Sequence, residues 1–141
     1  MPAPEDQAAG FARQREADRA ATAEDYVELI ADLLHADGEA RAVDLARRMG
    51  VSQPTVTTTI ARLQRDGLVE TRPYRGLFLT EAGREMAVAA KARHQLMVRF
   101  LIAVGMDPDA AERDVEGLEH HASDEALAAF ARFLAERGSG A

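Results

Sequence analysis

Cysteine is absent from this 141-residue chain, so disulfides, thiolate zinc sites and thiol redox switches are excluded. Tryptophan is absent too. Aromatic residues make up only 5% while Leu, Val and Ala are plentiful, which favours a helical protein over a β-sandwich or barrel. No apolar stretch approaches the roughly 18 residues of a membrane span. The first 20 residues are charged and alanine-rich, without the apolar core of a signal peptide. The expectation is a soluble, cytoplasmic protein with no membrane partner, forming one domain or a small domain with an appendage. No nucleophile–base pair and no phosphate-binding glycine loop is visible, so an enzyme is not expected.

The net charge of −7 argues against nucleic acid until its distribution is considered. Between Arg41 and Arg84 eight arginines face four acids, a balance of +4, which leaves −11 for the remainder. A basic module thus sits inside an acidic chain. The first could meet phosphates and the second could hold cations.

Residues 1–20 carry Pro2, Pro4, Gly10 and mixed charges without a sustained apolar stripe, and read as a mobile arm. From Glu24, the residues Tyr26, Val27, Ile30, Leu33 and Leu34 recur at helical spacing and stop at Asp37-Gly38. A short helix is expected from Ala42 to Met49. Gly50-Val51-Ser52 then turns into a helix from Gln53 to Asp66, capped by Ser52 with Pro54 in its first turn. Val56, Ile60 and Leu63 form the buried face of that helix. Its other face carries Thr55, Thr57, Thr58 and Thr59, which are poor helix formers. Their hydroxyls suit phosphates and base edges, and their methyls suit thymine.

Leu68–Arg72 and Leu77–Leu79 read as two strands joined by Pro73-Tyr74-Arg75-Gly76. Helix, helix, turn, helix and an arginine-tipped hairpin, in that order, form a winged helix-turn-helix, whose recognition helix enters the major groove of duplex DNA. Gln53, Thr55, Thr57, Thr58 and Arg62 on the helix, with Arg72 and Arg75 in the wing, are the expected DNA contacts. Three further helices follow: Thr80 to Val104, one opened by Asp107-Pro108, and one capped by Ser123. The last carries Leu127, Phe130, Phe133 and Leu134 on one side, and Gly138–Ala141 reads as a frayed end. Their apolar faces exceed what so small a DNA module can cover. A homodimer is the economical explanation, and it matches the two-fold symmetry of palindromic operators.

The segment Asp114-Val115-Glu116-Gly117-Leu118-Glu119-His120-His121 places Glu116, Glu119 and His120 at i, i+3 and i+4. On a helix these side chains share a face and could hold one ion, or simply line a solvated surface. Asp25 and Glu28 lie three apart near the start of the first apolar helix, and His94 sits within the long helix. Each has a plain alternative, since acids in a first turn favour the helix dipole and a lone His is ordinarily a surface or hydrogen-bonded residue. Paired Glu-x-x-His motifs of a dimetal oxidase are missing, because Gly117, Leu118 and Lys91 stand where such glutamates would be.

Taken together, Glu24-Asp25-Tyr26-Val27-Glu28, Tyr74-Arg75-Gly76-Leu77, Arg93-His94 and the segment from Asp114 to His121 resemble the manganese-responsive branch of the diphtheria-toxin-repressor superfamily, over residues 22 to 137. That resemblance implies a Mn²⁺-activated repressor of manganese uptake genes, with two ions per subunit held by Asp25, Glu28, His94, Glu116, Glu119 and His120. The iron-responsive branch uses Met where this chain has Asp25 and Cys where it has Glu116. Four carboxylates and two imidazoles without sulfur form a hard ligand set, suited to Mn²⁺ or Fe²⁺. The expected architecture is mainly α: the arm at 1–20, a winged helix-turn-helix DNA-binding domain at 21–81, and a helical metal-binding and dimerisation domain at 82–141. An Fe²⁺-responsive relative and a winged-helix sensor of an organic ligand are the alternatives.

Overall fold

The computed structural model describes residues 1–140, with side chains through residue 138. In chain order its elements are α1 (Pro4–Asp37), α2 (Ala42–Met49), α3 (Gln53–Arg65), β1 (Val69–Arg72), β2 (Gly76–Leu79), α4 (Glu81–Ala103), α5 (Pro108–Leu118) and α6 (Asp124–Gly140). The mainly α architecture with a small two-stranded wing is as expected. No helix among the described residues is long and apolar enough to cross a membrane. Packing divides the chain into two units: Thr22–Ala90, and Met1–Ala21 together with the residues from Lys91 onward.

In the first, winged unit, the apolar stripe of α1 buries Ala23, Tyr26, Val27, Ile30 and Leu33. These meet Leu45 and Ala46 of α2, Val56, Ile60 and Leu63 of α3, and Val69, Leu77 and Leu79 of the wing. Each large aliphatic side chain removed from water here contributes on the order of 1.5–3 kcal/mol. Gly50, at φ 69°, ends α2 in the left-handed conformation, and its N–H returns to the Ala46 carbonyl. Ser52 then caps α3, its Oγ accepting from the Thr55 N–H at 3.2 Å, with Pro54 in the first turn. The turn chemistry is therefore local and legible.

β1 and β2 pair antiparallel, with Val69 opposite Leu79 and Arg72 opposite Gly76. The Leu77 N–H also donates to the Ala40 carbonyl at 2.8 Å, which ties the wing to the start of α2. At Gly76 (φ 84°) a Cβ would sit 2.5 Å from that same Ala40 oxygen, so the approach requires glycine. Thr80 closes the hairpin onto α4: its Oγ1 donates to the Gly67 carbonyl at 2.7 Å and accepts from the Gly83 N–H at 3.0 Å.

In the second, helical unit, Met97 and Val98 of α4 pack on Ala111 and Val115 of α5, with Leu127 and Phe130 of α6 alongside. Phe100 stacks on Phe130 with centroids 4.0 Å apart and meets Phe133 edge-on at 5.5 Å. Asp107 caps α5 through Oδ2, which accepts from Asp109 N at 3.1 Å and Ala110 N at 3.3 Å. Ser123 caps α6 through Ala126 N at 3.1 Å.

Both termini are more helical than the sequence suggests. Residues 4–20 of the expected arm form the first turns of α1. Helix propagation is inexpensive once a nucleus exists, and the stripe from Ala23 to Leu33 supplies one. Upstream of it lie Ala, Gln, Glu and Arg, all good helix formers, with Glu5 and Asp6 in the first turn and a Glu16–Arg19 pair one turn apart. At the other terminus α6 continues through Gly140 where fraying was expected, and Ala141 lies outside the described residues.

Candidate functional site

On the winged unit, α3 turns Val56, Ile60 and Leu63 inward, and this leaves Gln53, Thr55, Thr57 and Thr58 exposed and Arg62 half-exposed on the opposite side. Thr55 is partly committed already, its Oγ1 lying 2.9 Å from Ser52 Oγ. Pro54, Thr55, Thr58 and Thr59 line a shallow hollow at the helix start. In the wing, the Arg72 guanidinium lies 4.2 Å from the Phe78 ring centroid and bonds Glu70 at 2.8 Å, while Arg75 lies 5.8 Å from the same ring. Phe78 is thus a shelf for two arginines, a role that its place in the sequence does not announce.

Asp25 and Glu28 lie on α1 in this same unit, three residues apart, Asp25 exposed and Glu28 half-buried. The residues between them, Tyr26 and Val27, belong to the core, so the backbone bearing both carboxylates is held firmly.

The remaining expected ligands fall in the helical unit. Glu119 is 2% exposed, the buried acid among the described residues. A carboxylate withdrawn from water requires partners. Glu119 Oε2 lies 3.0 Å from His94 Nδ1, and Glu119 Oε1 lies 3.4 Å from His120 Nε2. The second nitrogen of His94 is held as well, with Nε2 2.9 Å from Glu112 Oε2. Glu116, one turn before Glu119, is exposed at the edge of this cluster.

The shared helical face is realised only in part. α5 ends at Leu118, and Glu119 is its C-cap residue, still helical at φ −60°, ψ −35°. Beyond it the His121 N–H bonds the Leu118 carbonyl at 3.1 Å, a tighter i→i+3 closure, so His120 sits in the turn. His121 faces Asp18 of α1 at 3.4 Å.

Glu112 is the residue that the sequence reading passed over. It precedes Glu116 by four and Glu119 by seven, so the periodicity that singled out the other two also marks Glu112.

Electrostatics follow from this burial. Desolvation raises the Glu119 pKa above the usual carboxylate value, against the opposing pull of His94 and His120. Desolvation would lower the His94 pKa, but the hydrogen bond to Glu112 and the charges of Glu119, Glu112 and Glu116 outweigh it and raise the value. A proton on His94 therefore supplies positive charge that the cluster lacks. A buried carboxylate flanked by two imidazoles, with no sulfur, is a donor set that fits a hard or borderline divalent cation.

Known proteins place these features in context. Residues 19–77 match the iron dependent repressor N-terminal DNA binding domain, and residues 80–138 match the iron dependent repressor metal binding and dimerisation domain. The transcriptional regulator MntR of Escherichia coli is 48% identical over 135 residues, covering 96% of this chain and 87% of that protein. The regulator of the same name from Listeria monocytogenes is 40% identical over 71% of this chain and 70% of its own. Among solved structures, a manganese-dependent transcriptional repressor in complex with manganese superposes with a TM-score of 0.72 at 32% identity, over 80% of this chain and 52% of that one. The manganese regulator SloR gives 0.70 at 29% identity, over 79% and 53%. The chain thus spans about half the length of these solved proteins. With both domain models matched along its length, the chain belongs to the iron dependent repressor family, the diphtheria-toxin-repressor superfamily that its motifs resemble, and is a metal-binding, DNA-binding transcriptional regulator rather than an enzyme.

Proposed function

We propose that this regulator is activated by Mn²⁺ and represses manganese uptake genes from a palindromic operator in the cytoplasm, as a homodimer with two ions per subunit. The observation that carries the metal reading is Glu119, buried between His94 and His120. The six ligands are Asp25, Glu28, His94, Glu116, Glu119 and His120. Asp25 and Glu116 favour manganese over iron, because the iron branch has thioether and thiol sulfur at those places, and an all-oxygen-and-nitrogen set is the harder one.

Bound metal supplies the positive charge that balances the carboxylates. The chain's own residues do the rest. Glu119 would offer the cation a negative oxygen from a buried position, and Glu112 orients the His94 ring through Nε2, leaving Nδ1 on the side of Glu119. Asp25 and Glu28 would add two further carboxylates to the proposed ligand set. Their joint engagement shifts the population toward dimers whose recognition helices stand one DNA turn apart, about 34–36 Å. DNA contacts come from Gln53, Thr55, Thr57, Thr58 and Arg62 on α3 and from Arg72 and Arg75 in the wing.

Fluorescence anisotropy on a labelled inverted-repeat duplex from the promoter of a manganese transporter gene in its own genome tests this directly. Binding is expected on Mn²⁺ addition and is expected to vanish with chelator. Equal binding in both states would remove the metal switch. A stronger response to Fe²⁺ under anaerobic conditions would move the protein to the iron branch.

pH provides a second test. Both His94 and Glu119 have raised pKa values, so the folded protein holds their protons more tightly than the unfolded chain does. The His94 contribution to metal-free stability is fully present below 6.5 and is lost as pH rises through its raised folded value. The Glu119 penalty begins above 4.5, its ordinary value. Metal must displace these protons. The rise in Tm on adding Mn²⁺ is therefore expected to be larger at pH 8 than at pH 6, with calorimetry showing proton release at the lower pH. A Tm gain that does not change with pH would contradict the assignment of His94 and Glu119 as ligands.

A further inference from the structure

The wing tip is built at a conformational cost that its packing does not explain. The Arg75 N–H bonds the Arg72 carbonyl at 3.0 Å, closing a four-residue turn with Pro73 second and Tyr74 third. Tyr74 has φ 63°, and it is the non-glycine residue with positive φ among those described. A third turn position with positive φ calls for Gly or Asn, and Pro in second place is its usual companion. An aromatic residue there is disfavoured by its own backbone. Burial offers no compensation, because Tyr74 is 97% exposed.

The surroundings hold this strained residue outward. Arg41 donates to the Tyr74 carbonyl at 3.2 Å, and the neighbouring Gly76 is locked against the Ala40 oxygen. Arg72 and Arg75 flank the ring in sequence, and the acids nearby, Glu70 and Glu39, are engaged with Arg72 and Arg41. A strained residue held by its surroundings with its side chain in solvent is the pattern found at contact sites. The phenol supplies an O–H donor and a flat apolar face at the foremost point of a cationic loop.

We propose that Tyr74 is a DNA-contacting residue of the wing, its ring lying against a deoxyribose and its hydroxyl donating to a backbone phosphate. The inference rests on the DNA-binding reading above and adds a contact that reads no base. Because the tyrosine is neutral, it contributes affinity without counterion release, unlike Arg72 and Arg75 beside it.

The test uses the full-length protein with saturating Mn²⁺, on the inverted-repeat duplex and on a scrambled duplex of equal length. Tyr74→Gly and Tyr74→Asn both suit the positive φ and remove the ring. Each is expected to weaken binding about tenfold, the worth of one well-made contact, by the same factor on both duplexes. The slope of log affinity against log salt should be unchanged, and Tm should be no lower than that of the wild type. Tyr74→Phe, which keeps the ring, should lose only the hydroxyl's share. Affinity within twofold of wild type for both Gly and Asn variants would overturn the proposal, as would a lowered Tm accompanying the loss, which would make the ring structural. Loss on the inverted repeat alone would replace the backbone contact with a base contact. Wild-type protein that binds neither duplex would instead remove the DNA-binding reading, and this inference with it.

Discussion

Glu119→Gln is expected to abolish the Mn²⁺ response while leaving the metal-free protein at least as stable as wild type. The two effects have one origin. Burial raises the Glu119 pKa because the charged carboxylate is poorly solvated, so a neutral amide of the same shape relieves a cost in the metal-free fold. Its Oε1 can still accept from His94. What the amide cannot offer is a negative charge for the cation, and the loss in Mn²⁺ affinity should exceed about 100-fold, the upper range for losing even a supporting partner of a ligand. Competition with a fluorescent chelator reads the affinity, and thermal unfolding at pH 8 reads the stability. A variant that retains Mn²⁺ affinity within tenfold would dismiss Glu119 as a ligand. A variant that is unstable without metal would mean that the carboxylate holds the fold together.

Gly83→Ala carries the largest expected cost in stability. In an ordinary helix interior the change would gain up to about 1 kcal/mol. Here a Cβ would lie 2.1 Å from the Leu68 carbonyl oxygen and 3.3 Å from Leu79 Cδ2, so backbone would have to move. Overpacking of this kind typically costs about 1–3 kcal/mol, and a clash with backbone places this site at the upper end, about 3 kcal/mol. Gly117→Ala is the matched control, because nothing lies within 4 Å of the added carbon and α5 should gain from it. Urea unfolding of the two metal-free variants should therefore move in opposite directions. A neutral Gly83→Ala would show that α4 does not approach Leu68 as closely as described.

The winged unit was legible because its signals are short in range. Ser52 and Pro54 fix where α3 begins, Gly50 fixes where α2 ends, and the turn Pro73-Tyr74-Arg75-Gly76 between two short strands marks the wing. Caps at Asp107 and Ser123 were equally plain, each being a side chain bonded to backbone two or three residues on. The first turns of α1 escaped notice because amphipathic periodicity measures burial, and these turns are almost wholly exposed; their helicity follows from composition and from an adjoining nucleus. Glu119 was singled out by its spacing and His94 by the family resemblance, but the burial of one and the double clamp on the other are tertiary facts, set by α4 lying against α5. Tyr74 is the opposite case: its local sequence predicts a different residue, and the strain appears only in the backbone angle.

The two tyrosines of the chain, Tyr26 and Tyr74, both belong to the winged unit, one 3% and the other 97% exposed, and there is no tryptophan. The helical unit, whose aromatic residues are Phe100, Phe130 and Phe133 with Phe11 near the start of α1, is accordingly dark to excitation near 280 nm. Emission from this protein is a two-fluorophore signal from one half of the molecule. Iodide would quench the ring at the wing tip and spare the one in the core, so a single cuvette could separate events at the hairpin from unfolding of the domain beneath it.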